Sequence, residues 1–139
     1  MALNAQYAST PVVGRAVLTT ADGGIVSGTS APTNSVSLLV AGASGTRLSK
    51  FIIEGTGSTA ADGIIRIYLY NSVGTTYTLI KEISTSIVTG SATSPVFSLT
   101  LSEQFNPDFL PLVIPSTCTL FVTTSVTLGF TVTVFGANL

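Results

Sequence analysis

The sequence predicts an all-β protein: a single β-sandwich, jelly-roll-like, of about eight strands with an extended N-terminal arm. Three observations lead there. Ser and Thr supply 39 of 139 residues and stand among many Val and Ile, a mixture that favours strands over helices. Apolar residues recur with period two at several places, and no useful length of chain carries a helical stripe. A chain of 139 residues can bury one hydrophobic core and is too short for two, so one domain is expected.

Met1 to Gly14 carries neither alternation nor charge. Residues 1–14 are read as an arm that orders on a neighbour, with Leu3, Tyr7, Val12 and Val13 as apolar anchors; the competing reading is a frayed terminus. The sandwich then occupies residues 15–139, beginning with a strand from Arg15 to Thr20. Val36, Leu38 and Val40 alternate with Ser35 and Ser37 in a strand from Ser35 to Val40, and another follows from Arg47 to Glu54. In the strand from Ile64 to Tyr70, Ile65, Ile67 and Leu69 face one way. Ile64, Arg66, Tyr68 and Tyr70 face the other, a side too aromatic for plain solvent, and Tyr68 and Tyr70 are candidate contact residues. Asn71 to Thr75 supplies turn-forming Asn and Gly before a strand from Thr76 to Ile83, making a hairpin.

Ser84 to Pro95 is a loop of small residues, followed by a strand from Val96 to Leu101 in which Phe97, Leu99 and Leu101 alternate with Ser98 and Thr100. Ser102 to Pro115 contains Pro107, Pro111 and Pro115, so it is expected to cross the sandwich irregularly or as a short helical turn. Strands from Thr119 to Thr124 and from Leu128 to Phe135 complete the set. The predicted core is Ile65, Ile67, Leu69, Phe97, Leu99, Phe130, Val132 and Val134.

Composition excludes much chemistry. The chain has no His and one Cys, so it offers no imidazole base, no internal disulfide and no thiolate zinc site. Asp22 and Asp62 stand in Gly-rich turns without the spaced acids of a calcium loop. Glu54, Glu82, Glu103 and Asp108 offer carboxylates for glycoside hydrolysis, but the chain lacks the Trp that would stack a sugar. Gly42-Ala43-Ser44-Gly45-Thr46 approaches a nucleophile elbow with its final glycine displaced and no base to serve it. Gly55-Thr56-Gly57-Ser58 lacks the ending of a phosphate loop, and Cys118 reads as a buried structural thiol. No catalytic residue, metal or cofactor is expected.

Charged residues make up 8% of the chain against about 25% in soluble proteins, and mean hydropathy is +0.62. The longest uncharged stretches are full of Ser, Thr and Pro, so no membrane span is expected, and Met1 to Thr10 does not read as a secretory signal. So few charges on so apolar a chain suit a subunit that buries its surface in a homo-oligomer. The nearest basic pair, Arg47 and Lys50, is separated by an odd number and is expected on opposite strand faces, which argues against a phosphate-binding stripe and a nucleic-acid partner.

The order of turns and strands resembles small head proteins of tailed phages. The matching segments are Leu18 to Gly23, Ala41-Gly42-Ala43-Ser44-Gly45-Thr46-Arg47, Arg66-Ile67-Tyr68-Leu69-Tyr70, Ile114 to Leu120 and Val134-Phe135-Gly136. Ser116-Thr117 stands where the family has Ala-Gly. The resemblance is to capsid cement or decoration proteins and implies a trimeric β-sandwich on the virion exterior, made in the host cytoplasm, that binds the major capsid protein between capsomers. A tail, fibre or adaptor module and a carbohydrate-binding β-sandwich are the alternatives.

Overall fold

The computed structural model describes residues 10–26, 28–56, 62–86, 93, 95–102, 112–127 and 129–139. Among them, nine strands form two antiparallel sheets, with no helix. The first sheet holds β1 (Thr10–Leu18), β3 (Thr46–Gly55), β6 (Ser98–Ser102), β7 (Leu112–Ile114) and β9 (Phe130–Asn138), in the order β1-β9-β3-β6. β7 and β6 lie one after the other along the same edge of β3, against Thr46 to Leu48 and Lys50 to Glu54. The second sheet holds β2 (Val36–Val40), β4 (Gly63–Asn71), β5 (Thr76–Thr85) and β8 (Cys118–Thr124), in the order β2-β8-β4-β5.

The two sheets share one core because each strand alternates its side chains. Phe51, Ile53, Phe130, Val132 and Val134 from the first sheet meet Ile65, Ile67, Leu120 and Val122 from the second, all fully buried. Each such side chain contributes roughly 1.5–3 kcal/mol by leaving water. Of the predicted core, Ile65, Ile67, Phe130, Val132 and Val134 are fully buried, and Leu69, Phe97 and Leu99 pack half-buried against the cluster. Cys118 is a buried free thiol within it.

Besides a register shift in β2 between Ser37 and Leu39, which buries Leu39 beside Leu38 and leaves Val40, expected to share a face with Leu38, exposed, three local features depart from the sequence reading. β1 starts at Thr10, so Thr10 to Gly14, assigned above to the arm, are paired at home with Asn138 to Val134 of β9. Val12 packs on the core, while Gly14 comes so close to β2 that a Cβ there would overlap the Leu38 carbonyl oxygen. The glycine at the end of the expected arm is a close-packing requirement. Met1 to Ser9, with Leu3 and Tyr7, lie outside the described residues.

β7 is the second departure, a three-residue strand inside the segment expected to be irregular or briefly helical. Three residues are too few to show a period. Pro115 ends the strand, and its carbonyl accepts the Cys118 N–H to close the turn into β8.

The third is a β-bulge in β3, where the pairing with β9 shifts register between Leu48 and Lys50. The extra residue, Ser49, donates its hydroxyl to the Phe135 carbonyl at 3.0 Å. Because one residue is inserted, Arg47 and Lys50 point to the same face, contrary to the odd-spacing expectation. The β4–β5 hairpin is as expected. Its turn is held by the Val73 N–H on Asn71 Oδ1 at 3.0 Å, and positive φ falls on Gly74 and, less comfortably, on Thr75.

Candidate interaction surface

The outer face of the second sheet is covered by its own chain. Across β8, β4 and β5, Thr123, Arg66 and Glu82 stand opposite one another in one row. The connection from β1 to β2 enters at Ala21, bridged to Thr124, passes Val26, whose N–H points to the Tyr68 hydroxyl, and reaches the far edge at Gly28, which exchanges two backbone hydrogen bonds with Tyr77. Asn34 Nδ2 donates to the Ala21 carbonyl at 2.8 Å, joining the two ends of this connection into a loop of the Ω kind. It forms a strap over the sheet.

Asp22 anchors the strap. Arg66 Nη1 donates to Asp22 Oδ1 and Oδ2, both at 2.9 Å, while Arg66 Nε reaches Glu82 Oε1 at 2.9 Å. The Thr123 hydroxyl donates to Asp22 Oδ2, and Asp22 Oδ1 accepts the Gly24 N–H at 3.0 Å. Side-chain exposure is 1% for Asp22, 9% for Arg66 and 41% for Glu82. Burial opposes the guanidinium charge, but hydrogen bonds and Coulomb attraction from Asp22 and Glu82 prevail and hold the Arg66 pKa above the ordinary arginine value. Asp22 does the turn work expected of it, and it is also an ion-pair partner to a residue 44 positions away. Glu82, which the sequence offers only as an isolated carboxylate, is the third member of the group.

Beside the strap, Tyr70 lies against Tyr77 with ring centroids 4.5 Å apart, and Phe121 meets both edge-on at 6.0 and 5.7 Å. All three rings are half-buried. Of the two tyrosines singled out by sequence, Tyr68 is therefore enclosed beneath the strap and Tyr70 belongs to a three-ring cluster. Tyr77 was visible as a neighbour in sequence; Phe121 was not, because only the β4–β8 pairing brings it there.

The outer face of the first sheet has no such cover among the described residues. Strand register arranges it as a grid over β1, β9, β3 and β6. Val17, Thr131, Glu54 and Ser98 form one row; Arg15, Thr133, Ile52 and Thr100 the next; Val13, Phe135 and Lys50 the third. Val13 is 61% and Val17 46% exposed. Lys50 Nζ sits 5.6 Å from the Phe135 ring centroid, a cation–π approach that keeps the lysine over this face. Val13 thus presents outward from a strand instead of from an arm, while Val12, its neighbour, turns to the core.

A smaller open cleft of about 530 Å³ lies at the ends of β4 and β5, lined by Asp62, Ser84, Thr85, Ser86 and Ser125. No group of three or more metal-ligating side chains occurs among the described residues, and no described helix is long and apolar enough to cross a membrane. Comparison with protein-family models, with curated proteins and with solved structures finds no match.

Proposed function

We propose that this chain is a structural virion protein, a capsid cement or decoration protein that binds the outer surface of the shell, against the major capsid protein between capsomers, and stabilises it. The observation that carries the reading is the outer face of the first sheet, uncovered among the described residues, where exposed Val13 and Val17 stand beside Thr131 and Thr133. Such a face is poorly suited to water and well suited to another protein surface. A subunit that binds assembled shell, and not the free shell protein, stabilises the assembly by mass action and needs no catalytic group. Self-association belongs to the same reading, and the segments that resemble tailed-phage head proteins support it.

The test is location and consequence. Heads and tails of purified particles carrying this gene are separated and each is assayed for the chain by mass spectrometry; heads should contain it, and heads lacking it should rupture at lower temperature. Finding it only in tails or fibres would make it a different virion part, and finding it in neither would end the reading.

A second reading has one observation in its favour. The Tyr70, Tyr77 and Phe121 cluster is a partly exposed aromatic surface of the sort on which sugar rings stack. Binding to a glycan array that is abolished by Tyr77→Ala would support a carbohydrate-binding module instead.

A further inference from the structure

We infer that two copies of this chain pair through the outer face of the first sheet, about a two-fold axis lying between the faces and running across the strands along the row Arg15, Thr133, Ile52. The reason is the placement of charge. Lys50 and Glu54 flank Ile52 two residues away on either side, on the same strand and the same face. Neither Glu54 nor Arg15 has an ion-pair partner among the described residues.

A two-fold axis along that row lays each strand on its own counterpart, running antiparallel, and carries each row on one side of the axis onto the row on the other. Glu54 then meets Lys50 of the second copy, and Lys50 meets its Glu54. The same operation sets exposed Val17 on exposed Val13, Thr131 on Phe135, and Ile52 on Ile52. The face is complementary to itself, as an isologous contact requires. Its one like-charge meeting is Arg15 on Arg15, at the margin on β1, where long side chains extend into water.

The geometry fits, and the size suits a weak, reversible pair. β3 is ten residues long and four strands lie side by side. The axis lies three residues from the strand ends at Leu18, Phe130 and Gly55, so about seven residues of each strand overlap, and at about 3.3 Å per residue and about 4.8 Å per strand the footprint is roughly 440 Å². Incidental contacts cover less than about 400 Å² per partner and a standard interface about 800 Å². Facing sheets cross at about 30°, which displaces rows next to the axis by only a few ångströms, within the reach of Lys and Glu side chains.

Arg47 lies on this face as well, beyond Lys50. A polyanion such as nucleic acid would meet Arg15, Lys50 and Arg47 in successive rows but also Glu54 at one end and valines along β1, whereas a second copy pairs charges of both signs and fits the face better. The two-fold operator differs from the three-fold assembly implied by the resemblance.

The experiment is sedimentation velocity on the full chain, without shells, across the micromolar range. A reversible dimer is expected. Glu54→Lys and Lys50→Glu should each weaken it about tenfold, since each sets like charges opposite at two symmetry-related places, and the double exchange should recover to within about threefold. Ile52→Arg, which puts two guanidinium groups on the axis, should give monomer. Glu54 is exposed and Lys50 half-buried, both on the outer face, so thermal melts close to wild type are expected for the charge exchanges, and they carry the test should Ile52→Arg not fold. A monomer at all concentrations, a trimer, single exchanges without effect, a double exchange that does not recover, or an oligonucleotide bound by this face in place of a dimer would each overturn the pairing. This face is the one assigned above to the shell, so pairing is the state of the protein off the shell and shell binding would displace the second copy; the readout uses isolated protein without shells, so its failure leaves the head-or-tail assignment untouched, and the reverse also holds.

Discussion

Removing the carboxylate that anchors the strap should cost far more than removing any exposed charge. In Asp22→Ala the Arg66 guanidinium, 9% exposed, loses two hydrogen bonds at 2.9 Å, and both the Thr123 hydroxyl and the Gly24 N–H lose an acceptor. Taking one partner from a buried pair costs about 3–5 kcal/mol, and because both side chains are almost fully enclosed, solvent screening reduces that little. For a domain of this size the melting temperature should fall by roughly 10–20 °C. Glu82→Ala, at the end of the row that is 41% exposed, should cost about 1 kcal/mol or less. Urea denaturation of the purified variants measures both. A sharper form of the test replaces both partners: Asp22→Leu combined with Arg66→Met removes the stranded charge and should retain more stability than Asp22→Ala alone. An Asp22→Ala variant within about 1 kcal/mol of wild type would refute the claim that this pair holds the strap in place.

Other substitutions test separate parts of the fold. Gly14→Ala places a Cβ against the Leu38 carbonyl and should destabilise by about 3 kcal/mol, read from the denaturation midpoint; a silent change would mean that β1 and β2 are not in close contact. Thr75→Asn should stabilise by about 0.5–1 kcal/mol, because Asn tolerates the φ of 50° that a β-branched residue resists. Deleting residues 1–14 should cost about 2–3 kcal/mol through lost pairing of Thr10 to Gly14 with β9 and lost packing of Val12; an unchanged midpoint would return that segment to the arm.

The architecture was legible because alternation is a local signal. Phe130, Val132 and Val134 need only their neighbours in sequence to declare an inward face, and the hairpin needs only Asn71 and Gly74 between two alternating runs. What escaped notice depends on distance or on a single inserted residue. Ser49 reverses the parity on which the separation of Arg47 from Lys50 was judged, and nothing in the composition of β3 marks a bulge. The need for glycine at position 14 shows only once Leu38 of β2 is seen across from it. The surface was the least legible part. Tyr68 and Tyr70 were correctly seen as too aromatic for open solvent, yet what covers Tyr68 comes from a connection more than 40 residues earlier, tied down by a pairing of Asp22 with Arg66 that no local pattern encodes. The grid on the first sheet is likewise a product of register between β1, β9 and β3, which sets Arg15 in line with Ile52.

The strap also bears on how far assembly can proceed. A sandwich bare on both broad sides can stack copy on copy without end, the geometry of a fibre. Here one side is occupied by the protein's own Ala21 to Asn34 connection, whose pairing of Gly28 with Tyr77 takes up part of the free edge of β5 as well. If two copies join as inferred, by the outer face of the first sheet, each turns its strapped side outward, and that side is no longer a bare sheet for a third copy to extend. Growth by this route terminates at two. Loosening the strap, as Asp22→Ala would do, is expected to turn a terminating contact into a propagating one.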